Sequence, residues 1–296
     1  MSQINLPVKT KMLNAFRQIF KIPFLEKWLL QSAMNKSPDD FFQKLIPPNY
    51  LYAEGTMRTA ERDGILYQLD LFDYVEHTVY WGVKDSGHAN LYNLVKEGMV
   101  ILDVGANIGD TALHFSKIAG NEGRVICFEP DLNNFKKLSS NVQLNKCSNI
   151  ILVNAGLGNE NKQVRLFRVS PDNKGMNRIL DIDSTDANYS IIEIKRADDV
   201  MKELKIEKAD LIKIDVEGFE FEVLKGAEKI ISISKPILFI EIDDNNLRGN
   251  NTTPQQIFLF LKNLGYKIIN AQDQTEISGN ETNWSGLHFD VICTSQ

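Results

Sequence analysis

The sequence predicts an α/β domain built on a doubly wound, mostly parallel sheet of seven strands, with an N-terminal extension of helices and a β-hairpin. Strand and helix patterns alternate from Val100 onward, and this alternation requires right-handed crossovers and a parallel sheet. Residues 100–119, VILDVGANIGDTALHFSKIA, run from an apolar strand through a glycine turn directly into a helix. The last two strand patterns have no helix between them, so the final strand can insert antiparallel.

The N-terminal extension, residues 1–75, shows helical patterns followed by a strand pattern. Apolar residues recur at helical spacing between Met12 and Phe20, which predicts an amphipathic helix. Ser37 is the expected cap of a second, short helix. The stretch 64–83 alternates and is rich in aromatic and β-branched residues, so we expect a hairpin or antiparallel strands there.

The first 36 residues combine basic charge with this apolar pattern. Two interpretations stay open, since a basic amphipathic helix can lie on an anionic membrane surface or pack its apolar side on the α/β domain or a second subunit. The oligomeric state is equally open. The basic residues are Lys9, Lys11, Arg17, Lys21, Lys27 and Lys36, against Glu26 as the one acid.

The elements of the α/β domain, residues 76–296, follow in chain order. A polar stretch over 170–190 interrupts them, and a long insertion of this kind in a compact domain is usually functional or flexible. We expect strands at 100–104, 124–128, 150–154, 163–169, 190–195, 211–216, 237–242, 266–270 and 288–294, and helices at 91–96, 109–119, 131–145, 198–204, 219–232 and 254–264.

Composition limits the class of protein. With 43% hydrophobic and 24% charged residues, the 296-residue chain can bury a full core. The net charge of −6 argues against a general nucleic-acid binder, which carries a basic footprint. No secretory pattern and no apolar run of about 18 residues is present. We therefore expect a cytoplasmic protein, peripheral at the inner membrane surface if residues 1–36 dock there.

The glycine turn indicates which cofactor the domain binds. Gly105 and Gly109 allow a tight turn, and the helix that follows offers free N–H groups and a partial positive charge. A dinucleotide fingerprint starting at Gly105 would need glycines where Asn107 and Asp110 stand. Glu129 follows about 20 residues after the turn, where an acid can accept both ribose hydroxyls. A phosphate-free adenosyl cofactor, S-adenosylmethionine, fits these residues better than NAD.

Several segments in this order resemble the FkbM family of S-adenosylmethionine-dependent methyltransferases. They are LDVGANIGDTALHFSK, VICFEPDLNNFKKLSSNVQLN, LVNAGLGN, ADLIKIDVEGFEFEVLKGA and PILFIEID. The resemblance runs from roughly Tyr80 to Thr294 and leaves residues 1–75 without a counterpart. It implies the Rossmann-like fold of class I methyltransferases and the methylation of hydroxyl oxygens on sugars and natural products.

The cofactor residues are assigned from the turn and from this resemblance. The turn and the start of the helix are expected to line the methionine part, and Glu129 to hold the ribose, with Pro130 shaping its turn. The resemblance places Asn154 and Ala155 at the adenine. The residues expected at the methionine part are Asp103, Gly105, Asn107, Gly109, Asp110 and Thr111.

The candidate catalytic residues are carboxylates where strands end. Asp215 ends the strand expected at 211–216, Glu217 lies on the turn after it, and Glu241 lies in the strand expected at 237–242. Acids that project into one crevice can raise each other's pKa. Asp215 is expected to act as a base or to bind the acceptor. The alternative is that it orients the cofactor or caps a helix. Glu217 acts on the acceptor or caps the following helix, and Glu241 lies near the acceptor or in a buried pair. The hypothesis that Asp215 and Asp243 bind a magnesium ion rests on their position alone, so no metal ligand is assigned.

The sequence thus predicts an O-methyltransferase for a small-molecule or glycan acceptor. Asn173, Lys174, Asn177 and Arg178 are candidate acceptor contacts in the polar stretch. One alternative keeps the cofactor and methylates nitrogen, protein or RNA, although Asp-Val-Glu-Gly stands where amino-group enzymes carry N/D-P-P-Y. Another is a non-catalytic adenosyl-binding scaffold recruited to a membrane.

Overall fold

The computed structural model describes residues 7–34, 36–37, 39–83, 86–179, 188–278 and 284–295. It divides into two compact units, each described here by itself. The N-terminal unit comprises Met1–Lys84 and Pro171–Gly175, and the α/β unit comprises Asp85–Ser170 and Met176–Gln296. The division at residue 75 drawn from the sequence stays a prediction.

The N-terminal unit contains helices and one hairpin. Asp63 and Gly64 have positive φ values of 50° and 72°, which suits the two-residue turn of a β-hairpin. The elements are α1 (Val8–Arg17), α2 (Pro23–Ala33), α3 (Phe41–Leu45), β1 (Met57–Arg62), β2 (Ile65–Asp70) and α4 (Tyr74–Trp81), with 3-10 turns at Gln18–Lys21 and Asn49–Leu51.

Three expectations for this unit are corrected. The hairpin joins β1 to β2 around residues 63–64, so its first strand precedes the stretch that the alternation indicated. Tyr74–Trp81 is a helix because the Asp73 carboxylate accepts the amides of Val75 and Glu76 and starts it. The short helix begins at Phe41 with Asp40 as its cap, not Ser37.

The α/β unit is built on the predicted seven-stranded sheet. Its strand order is β5-β4-β3-β10-β11-β13-β12, with the five strands from β5 to β11 parallel and β13 inserted antiparallel. A smaller sheet has the order β6-β9-β7-β8. The strands are β3 (Val100–Val104), β4 (Arg124–Phe128), β5 (Ile150–Val153), β6 (Gly156–Leu157), β7 (Lys162–Phe167), β8 (Arg178–Ile179), β9 (Tyr189–Lys195), β10 (Leu211–Ile214), β11 (Ile237–Asp243), β12 (Tyr266–Asn270) and β13 (His288–Ser295).

Helices accompany these strands, and three differ from the expectation. The first lies at Ser86–Asn93 rather than 91–96, the helix expected over 219–232 is divided at Ala227, and a helix at Asp244–Gly249 was not expected. The Asp243 carboxylate starts that last helix. The helices are α5 (Ser86–Asn93), α6 (Asp110–Ala119), α7 (Leu132–Leu144), α8 (Ala197–Glu203), α9 (Glu220–Gly226), α10 (Glu228–Ser234), α11 (Asp244–Gly249) and α12 (Pro254–Asn263).

The core explains where a ligand can bind. The central strands β3, β4, β10 and β11 are almost wholly buried, as expected of a parallel sheet covered on both faces. The strand order reverses at β3, which lies between β4 and β10. A crevice beyond the carboxyl ends of the strands forms at such a switch point.

Candidate functional site

The turn from β3 into α6 separates buried from accessible acids. Asp103 is fully buried, and its Oδ2 accepts the Thr111 hydroxyl at 2.8 Å, while its Oδ1 has no hydrogen-bond partner. Burial raises the pKa of Asp103. Asn107 and Asp110 are partly exposed, and no side chain caps the N terminus of α6. The amides at this terminus can therefore receive an anionic group.

Backbone conformation and packing explain the two glycines of this turn. Both have positive φ, 82° at Gly105 and 92° at Gly109. A Cβ at Gly105 would collide with the carbonyl oxygen of Asp215, and one at Gly109 would approach Leu138 to 2.6 Å. The positive φ values and the close packing within the chain therefore require glycine at these two positions.

Glu129 lies just after β4 and is held by backbone amides. Asn107 donates to its Oε2 at 2.9 Å and Asp131 to its Oε1 at 2.8 Å. Each carboxylate oxygen keeps a further acceptor site. Burial is the main cause that raises the pKa of Glu129 to about 8. These two amides hold the carboxylate of the predicted ribose-binding residue in position.

The two residues expected at the adenine differ in exposure. Asn154 is exposed, and its Nδ2 donates to the carbonyl oxygens of Glu129 at 2.8 Å and Pro130 at 3.3 Å. Ala155 is buried. Asn154 therefore holds the turn that carries the Glu129 carboxylate.

The sequence analysis missed Lys213, which lies between Asp103 and Asp215. It is the register partner of Asp103 in neighbouring strands. Its Nζ donates to the carbonyl of Gly105 at 2.9 Å and lies 3.2 Å from Asp215 Oδ2 and 3.6 Å from Asp103 Oδ1. The Lys213 side chain is 4% exposed and that of Asp215 is 39% exposed. The buried ammonium joins the glycine turn to the strand that carries Asp215.

Glu217 occupies a strained turn beside Asp215. Its φ is 54°, a conformation that non-glycine residues seldom adopt and that is common near functional sites. Asn246 Nδ2 donates to its Oε2 at 2.6 Å, and Arg178 Nη1 donates to Asn246 Oδ1 at 2.7 Å. Burial first, and then Asp215, raise the pKa of Glu217 to about 7.

Glu217 does not cap α9, because the carboxylate that accepts the backbone amides of this turn is that of Glu220. Glu220 Oε1 accepts the amides of Val216 at 3.2 Å and Gly218 at 3.0 Å. Its side chain is buried, and burial raises the pKa of Glu220 to about 7. The Glu217 carboxylate is therefore turned toward Asn246 and not toward the helix.

Glu241 pairs with His288, a second residue that the sequence analysis missed. His288 Nε2 lies 2.9 Å from Glu241 Oε1, across the antiparallel pair of β11 and β13. This hydrogen bond raises the pKa of His288 to about 9. Burial, and next the charge of Asp215, raise the pKa of Glu241. Glu217 and Glu241 thus both lie close enough to Asp215 for its charge to raise their pKa.

The geometry gives the magnesium hypothesis no support. The Asp243 carboxylate is occupied by the amides of Asn245 at 2.8 Å and Asn246 at 3.0 Å. Among the described residues, no group of three or more His, Cys, Asp or Glu side chains is arranged to hold a metal ion.

The candidate acceptor contacts are divided between the two units. Asn173 and Lys174 belong to the N-terminal unit, where the Lys174 amide donates to Asp73 Oδ2 at 3.1 Å. Asn177 and Arg178 belong to the α/β unit. Residues 180–187 of this stretch lie outside the described residues.

The missed residues had weak signals in the sequence. Lys213 interrupts the apolar strand Leu211–Ile214, and a charged residue in a buried strand implies a charged partner. His288 lies in the strand expected to insert antiparallel, but the register that places it against Glu241 is not contained in any local pattern.

Comparisons with known proteins find a matching family model and several similar sequences. The model of the methyltransferase FkbM domain matches residues 103–268, more than half of the chain. The hexuronic acid methyltransferase AglP of Haloferax volcanii is 30% identical over 152 residues, which cover 49% of this chain and 59% of that protein. Methyltransferase 1 of Beauveria bassiana is 27% identical over 145 residues, 43% of this chain and 58% of that protein.

The chain spans about three fifths of the length of these curated relatives. Among solved structures, the methyltransferase FkbM of Methylobacillus flagellatus KT has 18% identity and a TM-score of 0.44. That comparison covers 75% of this chain and 55% of the other.

Proposed function

Since this chain belongs to the FkbM family of methyltransferases, we propose that it is an S-adenosylmethionine-dependent O-methyltransferase for a hydroxyl of a sugar, polysaccharide or secondary metabolite. The observation that carries the proposal is the set of acids around the switch point. Glu129 lies beside the uncapped α6 terminus, where it accepts the Asn107 amide. Asp215 and Glu217 follow β10, and Glu241 lies near the carboxyl end of β11.

The residues present fit the cofactor. The α6 amides suit the methionine carboxylate, and the accessible Asp215 suits its ammonium group. Glu129 offers an acceptor site on each oxygen to the two ribose hydroxyls. Asp103 and Thr111 are buried and bonded to each other, so they support the turn from behind. A pyrophosphate would meet the acids at the same turn, which opposes a dinucleotide.

The cofactor supplies an activated methyl group on a sulfonium. The protein must align the acceptor oxygen, exclude water and accept the hydroxyl proton. Glu217 is the best candidate base because its pKa of about 7 matches neutral pH, and Asn246 holds its orientation. Asp215 is less suited, since the ion pair with Lys213 stabilises its anion.

The acceptor class follows from the charges and from one relative. The acids favour a neutral hydroxyl compound, which hydrogen-bonds to carboxylates without repulsion. The relative named for hexuronic acid makes saccharides the first class to examine, with Arg178 as the candidate partner of any acceptor carboxylate.

Calorimetry with S-adenosylmethionine and with NAD tests the cofactor. We expect binding of the first and none of the second, and binding of NAD alone would reverse the proposal. Release of S-adenosylhomocysteine is then measured with neutral hexosides and with hexuronates. Turnover that requires an amine, and not a hydroxyl, would replace the O-methyltransferase by an N-methyltransferase.

A further inference from the structure

Helix α1 turns apolar side chains outward and buries the polar Asn14. Val8, Met12 and Phe16, spaced four residues apart, are 72%, 70% and 49% exposed. Asn14 is the buried residue of α1 and donates from Nδ2 to the Tyr50 hydroxyl at 3.0 Å. A helix that packs on a protein core shows the opposite arrangement.

Aromatic rings extend this surface over the next two helices. Phe16 contacts Phe20 with ring centroids 5.7 Å apart, and Phe20 stacks on Trp28 at 6.3 Å. Trp28 contacts Phe42 at 5.7 Å, and Phe42 contacts Phe41 at 5.6 Å. The rings therefore hold α1, α2 and α3 in one fixed arrangement.

We call the exposed members of this surface the aromatic face. Phe24 and Trp28, one helical turn apart on α2, are 70% and 47% exposed, and Phe41 is 68% exposed. So many large apolar side chains together on one surface indicate a binding site. The aromatic face consists of Val8, Met12, Phe16, Phe24, Trp28 and Phe41.

The charges around the aromatic face are mostly positive. Glu26 is buried, with Arg58 at 2.7 Å and the Tyr80 hydroxyl at 2.7 Å from Oε1, so it does not offset the surface lysines. Asp40 is engaged as the cap of α3. The exposed lysines of this segment are Lys9, Lys11, Lys27, Lys36 and Lys44, of which Lys44 lies 3.7 Å from Asp39.

We propose that the aromatic face docks this protein on the surface of an anionic lipid bilayer. Aromatic side chains enter the headgroup region, and lysines around them attract acidic lipids while their stems cover apolar surface. A second copy fits less well, because a two-fold interface would oppose the same basic surface to itself. Among the described helices, none has both the length and the hydropathy needed to cross a bilayer. The proposal does not depend on the methyl-transfer activity.

Cosedimentation of the full chain with vesicles tests the proposal. We expect binding to phosphatidylcholine vesicles that contain about 30% phosphatidylserine and much weaker binding to pure phosphatidylcholine. Phe16→Glu and Phe24→Glu should each weaken binding about tenfold or more. Ile233→Glu and Leu259→Glu, which alter residues that are 65% and 59% exposed in the α/β unit, should leave it unchanged.

The lysines and the tryptophan give independent measurements. Lys9→Gln and Lys11→Gln should each weaken binding by about fivefold, and added salt should mimic them. Tryptophan emission should shift to the blue on vesicle binding, and Trp28→Phe should abolish the shift. Trp81 is buried and Trp284 is half-buried, so neither should report the contact.

Melting temperatures check that the variants fold. They should match the wild type, because every substituted side chain on this face is exposed. Failure of the wild-type chain to sediment with the phosphatidylserine vesicles would overturn the proposal. So would sedimentation velocity without lipid that finds a dimer dissociated by Phe16→Glu, because the aromatic face would then be a subunit interface.

Discussion

Replacing Lys213 with methionine is expected to destabilise the protein strongly, because the substitution removes a buried cation from between two carboxylates. Methionine keeps most of the apolar stem but cannot donate to Gly105 or pair with Asp103 and Asp215. The Lys213 Nζ lies 3.6 Å and 3.2 Å from those carboxylates. Asp103 is fully buried, so solvent cannot replace the lost partner.

The magnitude follows from these distances and from burial. At an effective dielectric constant of about 20, one pair at this separation is worth about 4–5 kcal/mol before desolvation. The pair with Asp215 is discounted because that side chain is 39% exposed and water screens it. Removing one partner of a buried pair costs about 3–5 kcal/mol. We therefore expect a loss in this range, mainly from Asp103.

Thermal unfolding measures the effect. A loss of this size should lower the melting temperature by on the order of 10 °C. Lys208→Met is the matched control, because Lys208 is 66% exposed and pairs with Asp210 at 3.0 Å. An exposed pair of this kind contributes less than about 1 kcal/mol. If both variants melt within about two degrees of the wild type, the assigned role of Lys213 is wrong.

The pH dependence identifies Asp103 as the source of the loss. Burial already raises the pKa of Asp103, and removal of Lys213 raises it further. A carboxyl group with a raised folded pKa binds more protons when folded, so stability falls as pH rises above the unfolded pKa of about 3.9. The deficit of Lys213→Met should therefore shrink on acidification, and adding Asp103→Asn should recover part of it at neutral pH. No recovery would locate the loss elsewhere.

Three further predictions concern the turn and the proposed catalytic residues. Gly105→Ala should abolish S-adenosylmethionine binding and lower the melting temperature. Gly55→Ala is the control, since Gly55 has the same φ of 82° but open space around it, and this substitution should cost only about 1 kcal/mol of strain. Equal effects of the two substitutions would refute the collision of a Cβ at Gly105 with Asp215. S-adenosylmethionine binding should tighten up to about tenfold per pH unit as pH rises toward 8, because Glu129 has a pKa of about 8 and must ionise to accept two hydroxyls. Glu129→Gln should remove this dependence in calorimetry. Glu217→Gln should lower kcat about 100- to 10,000-fold at constant cofactor affinity. It should also abolish the fall in rate below pH 7 that the pKa of Glu217 predicts. If the rate of the variant still falls below pH 7, another group accepts the proton.

Most elements of the α/β unit were predictable because their signals are local. The strand Val100–Val104 was predicted without error, and the glycine turn was correctly placed between it and α6. The helix at Tyr74–Trp81 was not predictable from alternation, since its aromatic residues satisfy both a strand and a half-buried helix. Its identity depends on the Asp73 cap and on burial of Trp81.

The candidate site was predictable in part for a similar reason. Asp103, Glu129 and Asp215 follow from their positions at strand ends, since parallel strands direct those ends to one edge. The cation that pairs with both aspartates does not follow, because Lys213 takes its role from contact with Asp103, which is distant in the chain.

The sequence by itself determined most strands and helices of the α/β unit, the turn at Gly105 and the family, because periodicity and motif spacing act over short stretches. Only the tertiary structure decided that Lys213 lies between Asp103 and Asp215 and that His288 pairs with Glu241. The physical reason is strand register, which is set by packing between strands far apart in the chain and which fixes the side chains that share an edge of the sheet.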